Sequence, residues 1–191
     1  MVKITKIKLI SPQNCQINEV KVLLKIIHFD SRGFLLETLR ADDRQVSGDN
    51  FVMTYTSATP AGVARDEIQW HYHAKQVDRF IVPLGEIALA LYDGRKNSKT
   101  YGVLEVLHLG GAQFSDFAAA KEKNLKFEIK TYLVTIPVGV YHCYKNIGEN
   151  LVILQNFPTQ LYNRQDEGRK LFTKVTVESL GGQFFSWKLL K

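Results

Sequence analysis

Five histidines are spread over the 191 residues of this chain, yet His71 and His73 sit one residue apart in WHYHAKQVDRFIVPLGE, Trp70–Glu86. Residues i and i+2 of a strand face the same side, so both imidazoles should point together. Asp78 follows five positions after His73, and a turn near Lys75-Gln76 would return it to that face. Gly85 comes after six further residues. A second stretch, IPVGVYHCYKN at Ile136–Asn146, has Pro137 and Gly139 in a turn that launches His142 into a strand, with Asn146 beyond it. Three readings are open. Imidazoles titrate near neutral pH and can move protons. His71, His73, Asp78 and His142 together are also a normal ligand set for Mn, Fe, Ni or Zn. The third reading is a strand whose histidines line a barrel and bind water. Tyr144, two beyond His142 on the same strand face, is a candidate acid. Cys143 should point away from the site and is no candidate nucleophile. His28 and His108 belong to no constellation.

The elements that must position these residues are short β-branched or aromatic runs ended by turns. EVKVLLKIIHF (Glu19–Phe29) meets the turn Asp30-Ser31-Arg32-Gly33, and GFLLETLR follows at Gly33–Arg40. FVMTYTSAT alternates over Phe51–Thr59. Arg79–Tyr92 reads as two strands around Pro83 and Gly85, and VLEVLHLG, YLVTIPVGVYHCYKNIG and NLVILQNF continue the series. Such spacing predicts an all-β sandwich or barrel. SDFAAAKEKN, Ser115–Asn124, breaks the pattern and predicts one short helix capped by Ser115 or Asp116. The apolar, aromatic tail GGQFFSWKLLK should pack rather than hang free.

The chain as a whole bounds the answer. Its length suits one domain over residues 1–191, and a hydrophobic share of 45% is enough for a core. No apolar run approaches the ~20 residues of a membrane helix, and MVKITKIKLI has no long apolar region of a signal peptide. Two cysteines make no disulfide framework, so a cytoplasmic setting is expected. A net charge of +6 suits phosphorylated ligands. No arginine-rich tract, zinc-finger spacing or basic helix points to nucleic acid.

The two histidine stretches resemble the paired motifs of the cupin superfamily. His71, His73, Asp78 and Gly85 are similar to its first motif, with aspartate where glutamate is usual. Pro137, Gly139, His142 and Asn146 match PxGxxHxxxN. Arg65 and Thr131 stand where each motif's opening glycine would be. DSRGFLLETLR at Asp30–Arg40 resembles the opening signature of the dTDP-4-dehydrorhamnose 3,5-epimerase family. FVMTYTSATPAGV, HYH, YDGRKNSKTYG at Tyr92–Gly102, the proline–glycine–histidine turn and LYNRQDEGR at Leu161–Arg169 continue the likeness in order. HYHAK is also similar to the HxHK element of cupin-class nucleotide-sugar ketoisomerases, with Lys75 one place late.

The resemblance implies a jelly-roll β-barrel with a short inserted helix, and a cytoplasmic homodimer with N-terminal strands in its interface. It implies metal-free chemistry on a 4-keto-6-deoxy sugar nucleotide. It puts the catalytic base at His71 and a second pocket histidine at His142. Arg32 and Glu37 fall at nucleotide-contacting positions, and Arg65 is the replacement for a lost arginine. Several positions depart from the family pattern. Asp78 stands near the family's lysine, Gln155 or Asn156 near its tyrosine, and Met53 and Tyr55 where Gln and Asn contact the base. No partner for the base is found in GGQFFSWKLLK. The favoured expectation is therefore an epimerase or isomerase without a cofactor, using His71, His73, His142 and Tyr144, with Arg32, Glu37, Arg65 and Lys75 binding substrate. The alternatives are a metal-dependent cupin using a divalent transition metal, or a non-catalytic sugar- or nucleotide-binding cupin.

Overall fold

The computed structural model describes residues 6–43 and 52–191. Two antiparallel sheets face each other. Their strands are β1 (Lys21–Asp30), β2 (Gly33–Leu36), β3 (Tyr55–Thr59), β4 (Gln69–His73), β5 (Asp78–Leu84), β6 (Glu86–Asp93), β7 (Leu104–Gly110), β8 (Phe127–Ile136), β9 (Val140–Asn146), β10 (Val152–Asn156) and β11 (Glu167–Leu171). The six-stranded sheet runs β2-β1-β8-β5-β10-β3, and the five-stranded sheet β11-β4-β9-β6-β7. A ribbon of β12 (Thr176–Val177) and β13 (Gln183–Phe184) follows. Chain-neighbouring strands repeatedly lie in opposite sheets, which makes this the jelly roll that the sequence suggests.

Inward residues of the two sheets make the main core. Ile87, Leu89 and Leu91 of β6 pack with Val134 and Ile136 of β8 and Leu154 of β10. Side chains alternate along a strand, so Ala88 and Ala90 face the other way. There the C-terminal segment covers the sheet, placing Phe172, Phe185 and Trp187 around Trp70 and Cys143. The tail therefore packs, and β6 is buried on both faces. A third cluster joins Phe29, Phe34, Phe117 and Phe127, with the Phe29 and Phe127 rings stacked at 4.9 Å.

Three element bounds differ from the sequence expectation. The second strand stops at Leu36 rather than Arg40, because Asp43 accepts from the Arg40 backbone N–H at 2.7 Å and closes a turn. In FVMTYTSAT the strand begins at Tyr55, and Phe51 lies outside the described residues. The helix, α1, spans Phe114–Lys123, and its cap is Gln113 rather than Ser115. Asp116 there accepts from the Gln113 backbone N–H at 2.6 Å, one half of a capping box.

Both motif glycines take left-handed backbone conformations. Gly85, with φ +80°, carries the chain from β5 in one sheet to β6 in the other. A Cβ there would lie 2.9 Å from the Val152 backbone. Gly139, with φ +75°, makes the turn before β9, as the PVG spacing suggests. The motif's Asn146 is structural: fully buried, it donates to the carbonyls of Thr59 and Asn150 at 2.8 Å each and accepts from Gly148.

Candidate functional site

His71 and His142 are directly opposite one another in the β4–β9 ladder, so their side chains share the inward face. His73 is two residues along. Their rings lie 4.7 Å (His71–His73) and 5.1 Å (His71–His142) apart, centroid to centroid. The first residue of β5, Asp78, comes from the opposite sheet. Its Oδ2 is 3.3 Å from His142 Nε2 and 3.5 Å from His73 Nε2. The structure thus brings His71, His73, Asp78 and His142 together, with a bend at Ala74-Lys75 supplying the reversal.

The Asp78 carboxylate is nearly sealed, at 3% exposure. Burial pushes its pKa up, but the hydrogen bond and proximity of His142, the nearby His73 ring and the Asn156 amide outweigh that and leave it at about 2. Asp78 is therefore ionised and can only accept. Asn156 Nδ2 donates to its Oδ1 at 2.7 Å and Gln76 Nε2 at 2.8 Å. Gln76 Nε2 is also 3.1 Å from His73 Nε2. With its amide NH2 turned to a carboxylate, Gln76 makes His73 Nε2 an acceptor and puts the His73 proton on Nδ1, toward Asp166. His71 Nε2, 2.9 Å from the same His73 nitrogen, is then a donor, and His71 Nδ1 carries the free lone pair. His142 differs: Nδ1 faces the Val140 carbonyl at 3.2 Å and Nε2 faces Asp78. Both neighbours are acceptors.

His71 is held neutral. Burial first, then the nearby His142 and His73, lower its pKa to about 3 against the weaker pull of Glu167 and Asp78. It opens on a cavity of about 420 Å³ lined also by Tyr55, Arg65, Asp78, His142, Tyr144 and Arg169. The Tyr144 hydroxyl reaches Ser57 at 2.9 Å and Thr59 at 3.1 Å. Tyr55 receives a hydrogen bond from Asn156, and burial together with the Asp78 charge pushes its pKa up to about 12. Cys143 packs in the cluster outside the sheet, where burial raises its pKa.

Other expected residues are not gathered here. Arg32, 88% exposed, pairs with Asp30 at the β1–β2 turn. Glu37 pairs with Arg40. Lys75 is exposed outside the cavity. Four residues given no site role in the sequence reading do belong: Gln76, Asn156, Asp166 and Glu167. The two acids lie at the start of β11, which pairs with β4 and sets Glu167 opposite His73. Glu167 Oε1 is 3.8 Å from His71 Nδ1, and Asp166 Oδ2 is 3.3 Å from His73 Nδ1. The adjacent acids before Gly168 were visible in LYNRQDEGR, but nothing local announces pairing with β4.

Amide N–H groups already point at His73 Nε2 and Asp78 Oδ1, two of the lone pairs that a divalent metal could use. Among the described residues no group of three or more His, Cys, Asp or Glu side chains is arranged to hold one.

Comparison with known proteins places this geometry. No protein-family model matches the chain. It is 32% identical over 151 residues to the probable low-salt glycan biosynthesis epimerase Agl13 of Haloferax volcanii, covering 78% of this chain and 83% of that protein. It is also 32% identical over 163 residues to the spore coat polysaccharide biosynthesis protein SpsL of Bacillus subtilis, covering 84% of this chain and 93% of the relative. Among solved structures, the dTDP sugar isomerase of Desulfovibrio desulfuricans G20 superposes with a TM-score of 0.67 at 23% identity, covering 94% and 95% of the two chains. That likeness speaks for the fold, and the two relatives for the lineage. With the paired histidine motifs assembled inside a jelly roll, the chain belongs to the dTDP-4-dehydrorhamnose 3,5-epimerase-like family of cupins and is a sugar epimerase of that family.

Proposed function

We propose that the protein epimerises a carbon next to the ketone of a 4-keto-6-deoxy sugar nucleotide, without a metal. The observation that carries this reading is a neutral, buried His71 opening on a cavity beside a His142–Asp78 pair. A carbon-bound proton can be removed at neutral pH only if the resulting charge is delocalised into a carbonyl and stabilised there. His71 is the base. The departure at Asp78 has a physical account: the carboxylate does not face the enolate as a lone charge but is turned to His142. His142, held against that carboxylate, then stands in for the lysine found elsewhere in the family as the group that stabilises the enolate. Tyr144 shares the cavity and is the acid that returns a proton, its hydroxyl oriented by Ser57 and Thr59. Arg65 and Arg169 of the same lining take the diphosphate.

Arg32 and Glu37 lie away from their own histidines, on and just beyond a hairpin whose β2 is a sheet edge. In a homodimer such a hairpin can reach the other copy's nucleotide, and the reading includes that assembly. The test is incorporation of solvent deuterium into 4-keto-6-deoxyhexoses linked to dTDP, UDP, GDP or CDP, followed by mass spectrometry. Exchange by the wild type that is lost in His71→Asn is expected. No exchange in any of these substrates overturns the reading.

A further inference from the structure

His73 is not needed as the base, yet it is the most elaborately placed imidazole in the barrel. It is 9% exposed, with Nε2 against His71 and Gln76 and Nδ1 turned to the opposite side. Nδ1 is 3.3 Å from Asp166 Oδ2, but the two are not aligned as a hydrogen bond, and Nδ1 is buried without a partner. Asp166 is also buried, at 6% side-chain exposure, and its Oδ1 has no partner either. Its Oδ2 accepts the Gln76 backbone N–H at 3.0 Å, which fixes the carboxylate in place. A purely structural histidine would be expected to have its buried donor satisfied. Here the unsatisfied donor lies 3.3 Å from the Asp166 Oδ2 that already accepts from Gln76, while Oδ1 of the same carboxylate has no partner, at the edge of the site next to the exposed loop 161–165.

We infer that His73 and Asp166 form a proton relay that carries the proton taken by His71 out of the barrel. The inference rests on the epimerase reading above. Neither residue lines the cavity, so both act through His71 rather than on substrate. The steps balance. The substrate C–H bond breaks and an N–H bond forms at His71 Nδ1. The His71 Nε2 proton passes to His73 Nε2, the His73 Nδ1 proton passes to Asp166 Oδ2, and Asp166 gives it to water. One proton enters the chain of groups and one leaves. In turnover Tyr144 protonates the other face, and the same path run inward takes a proton from water and moves the one on His71 Nδ1 across the cavity to the Tyr144 phenolate, which restores Tyr144 and both tautomers. A small rotation of the His73 ring brings Nδ1 into line with Asp166, which accounts for the near-contact in the resting state.

The test compares Asp166→Asn with wild type. The asparagine oxygen still accepts from the Gln76 backbone, but the group cannot take up a proton. Deuterium exchange into a 4-keto sugar nucleotide is measured together with kcat and KM, with and without added imidazole buffer. The expected result is an exchange rate and kcat lower by about tenfold or more, an unchanged KM, and saturable recovery with imidazole. Exchange as fast as wild type overturns the relay, and so does a loss in the folded variant that imidazole does not restore. Should Asp166→Asn not fold, His73→Gln interrupts the same path and is read by the same two outcomes. Absence of exchange in the wild type would instead strike at the epimerase reading. Wild-type exchange that persists in the variants strikes only at the relay.

Discussion

Acid should unfold this protein through one identifiable imidazole. His71 has a folded-state pKa of about 3 against an ordinary value of 6.5. As pH falls below about 6.5 the unfolded chain binds a proton that the folded chain refuses, so stability is lost progressively until the folded value is reached. The groups facing His71 are His73, His142, Glu167 and Asp78, and the two carboxylates only partly offset burial and the other two rings. Each pH unit in that window is worth about 1.4 kcal/mol. The loss between about pH 6.5 and pH 5 is therefore about 2 kcal/mol, and the full span about 5 kcal/mol. His71 has only 20% of its side chain exposed, so solvent screening removes little of this. Urea unfolding at about pH 7, 6 and 5, for wild type and for His71→Gln, isolates the contribution, since glutamine does not titrate. Wild type should lose about 2 kcal/mol more than the variant across that range. Parallel curves would refute the claim that burial holds His71 neutral, and with it the basis for its role as the base.

Three other outcomes follow from the geometry. Tyr144→Phe removes a hydroxyl bonded to Ser57 and Thr59, and should cost about 1 kcal/mol in urea unfolding while lowering product formation more than deuterium exchange. Gly111→Ala places a Cβ 2.1 Å from the Val82 carbonyl oxygen, and should lower stability by about 3 kcal/mol or more, seen as a shifted urea midpoint. Prolonged dialysis against a chelator should leave epimerisation unchanged, because amide donors occupy two of the positions that a metal could use. Activity that disappears on dialysis and returns with Mn, Fe, Ni or Zn would contradict that.

The fold was legible because its signals are local. Alternation, the turn glycines Gly85 and Gly139, and the alanine run of α1 each report on a few neighbouring residues. The imidazoles were legible for the same reason: His71 and His73 share a strand, and the PVG turn aims His142. What surrounds them was not. Asp166 and Glu167 reach the site only because β11 pairs with β4, and Asn156 because β10 lies beside β5. Asp78 was read as a departure because it stands near the family's lysine; its contact with His142, 64 positions away and in the other sheet, is not a local signal. The positions of Arg32 and Glu37 were read from a motif that says which residue stands there, but not which face of the folded chain it occupies.

The division of the site between two sheets also sets an order in time. The imidazoles of β4 and β9 belong to one sheet, and the Asp78 carboxylate and the Asn156 amide to the other. The contacts between the Asp78 carboxylate and the imidazoles form only when the sheets close, and the pairings that build the sheets, such as β1 with β8 in the six-stranded one, join segments about a hundred residues apart. Such non-local topologies fold in milliseconds to seconds. Recovery of activity after dilution from denaturant should therefore lag the recovery of β-structure.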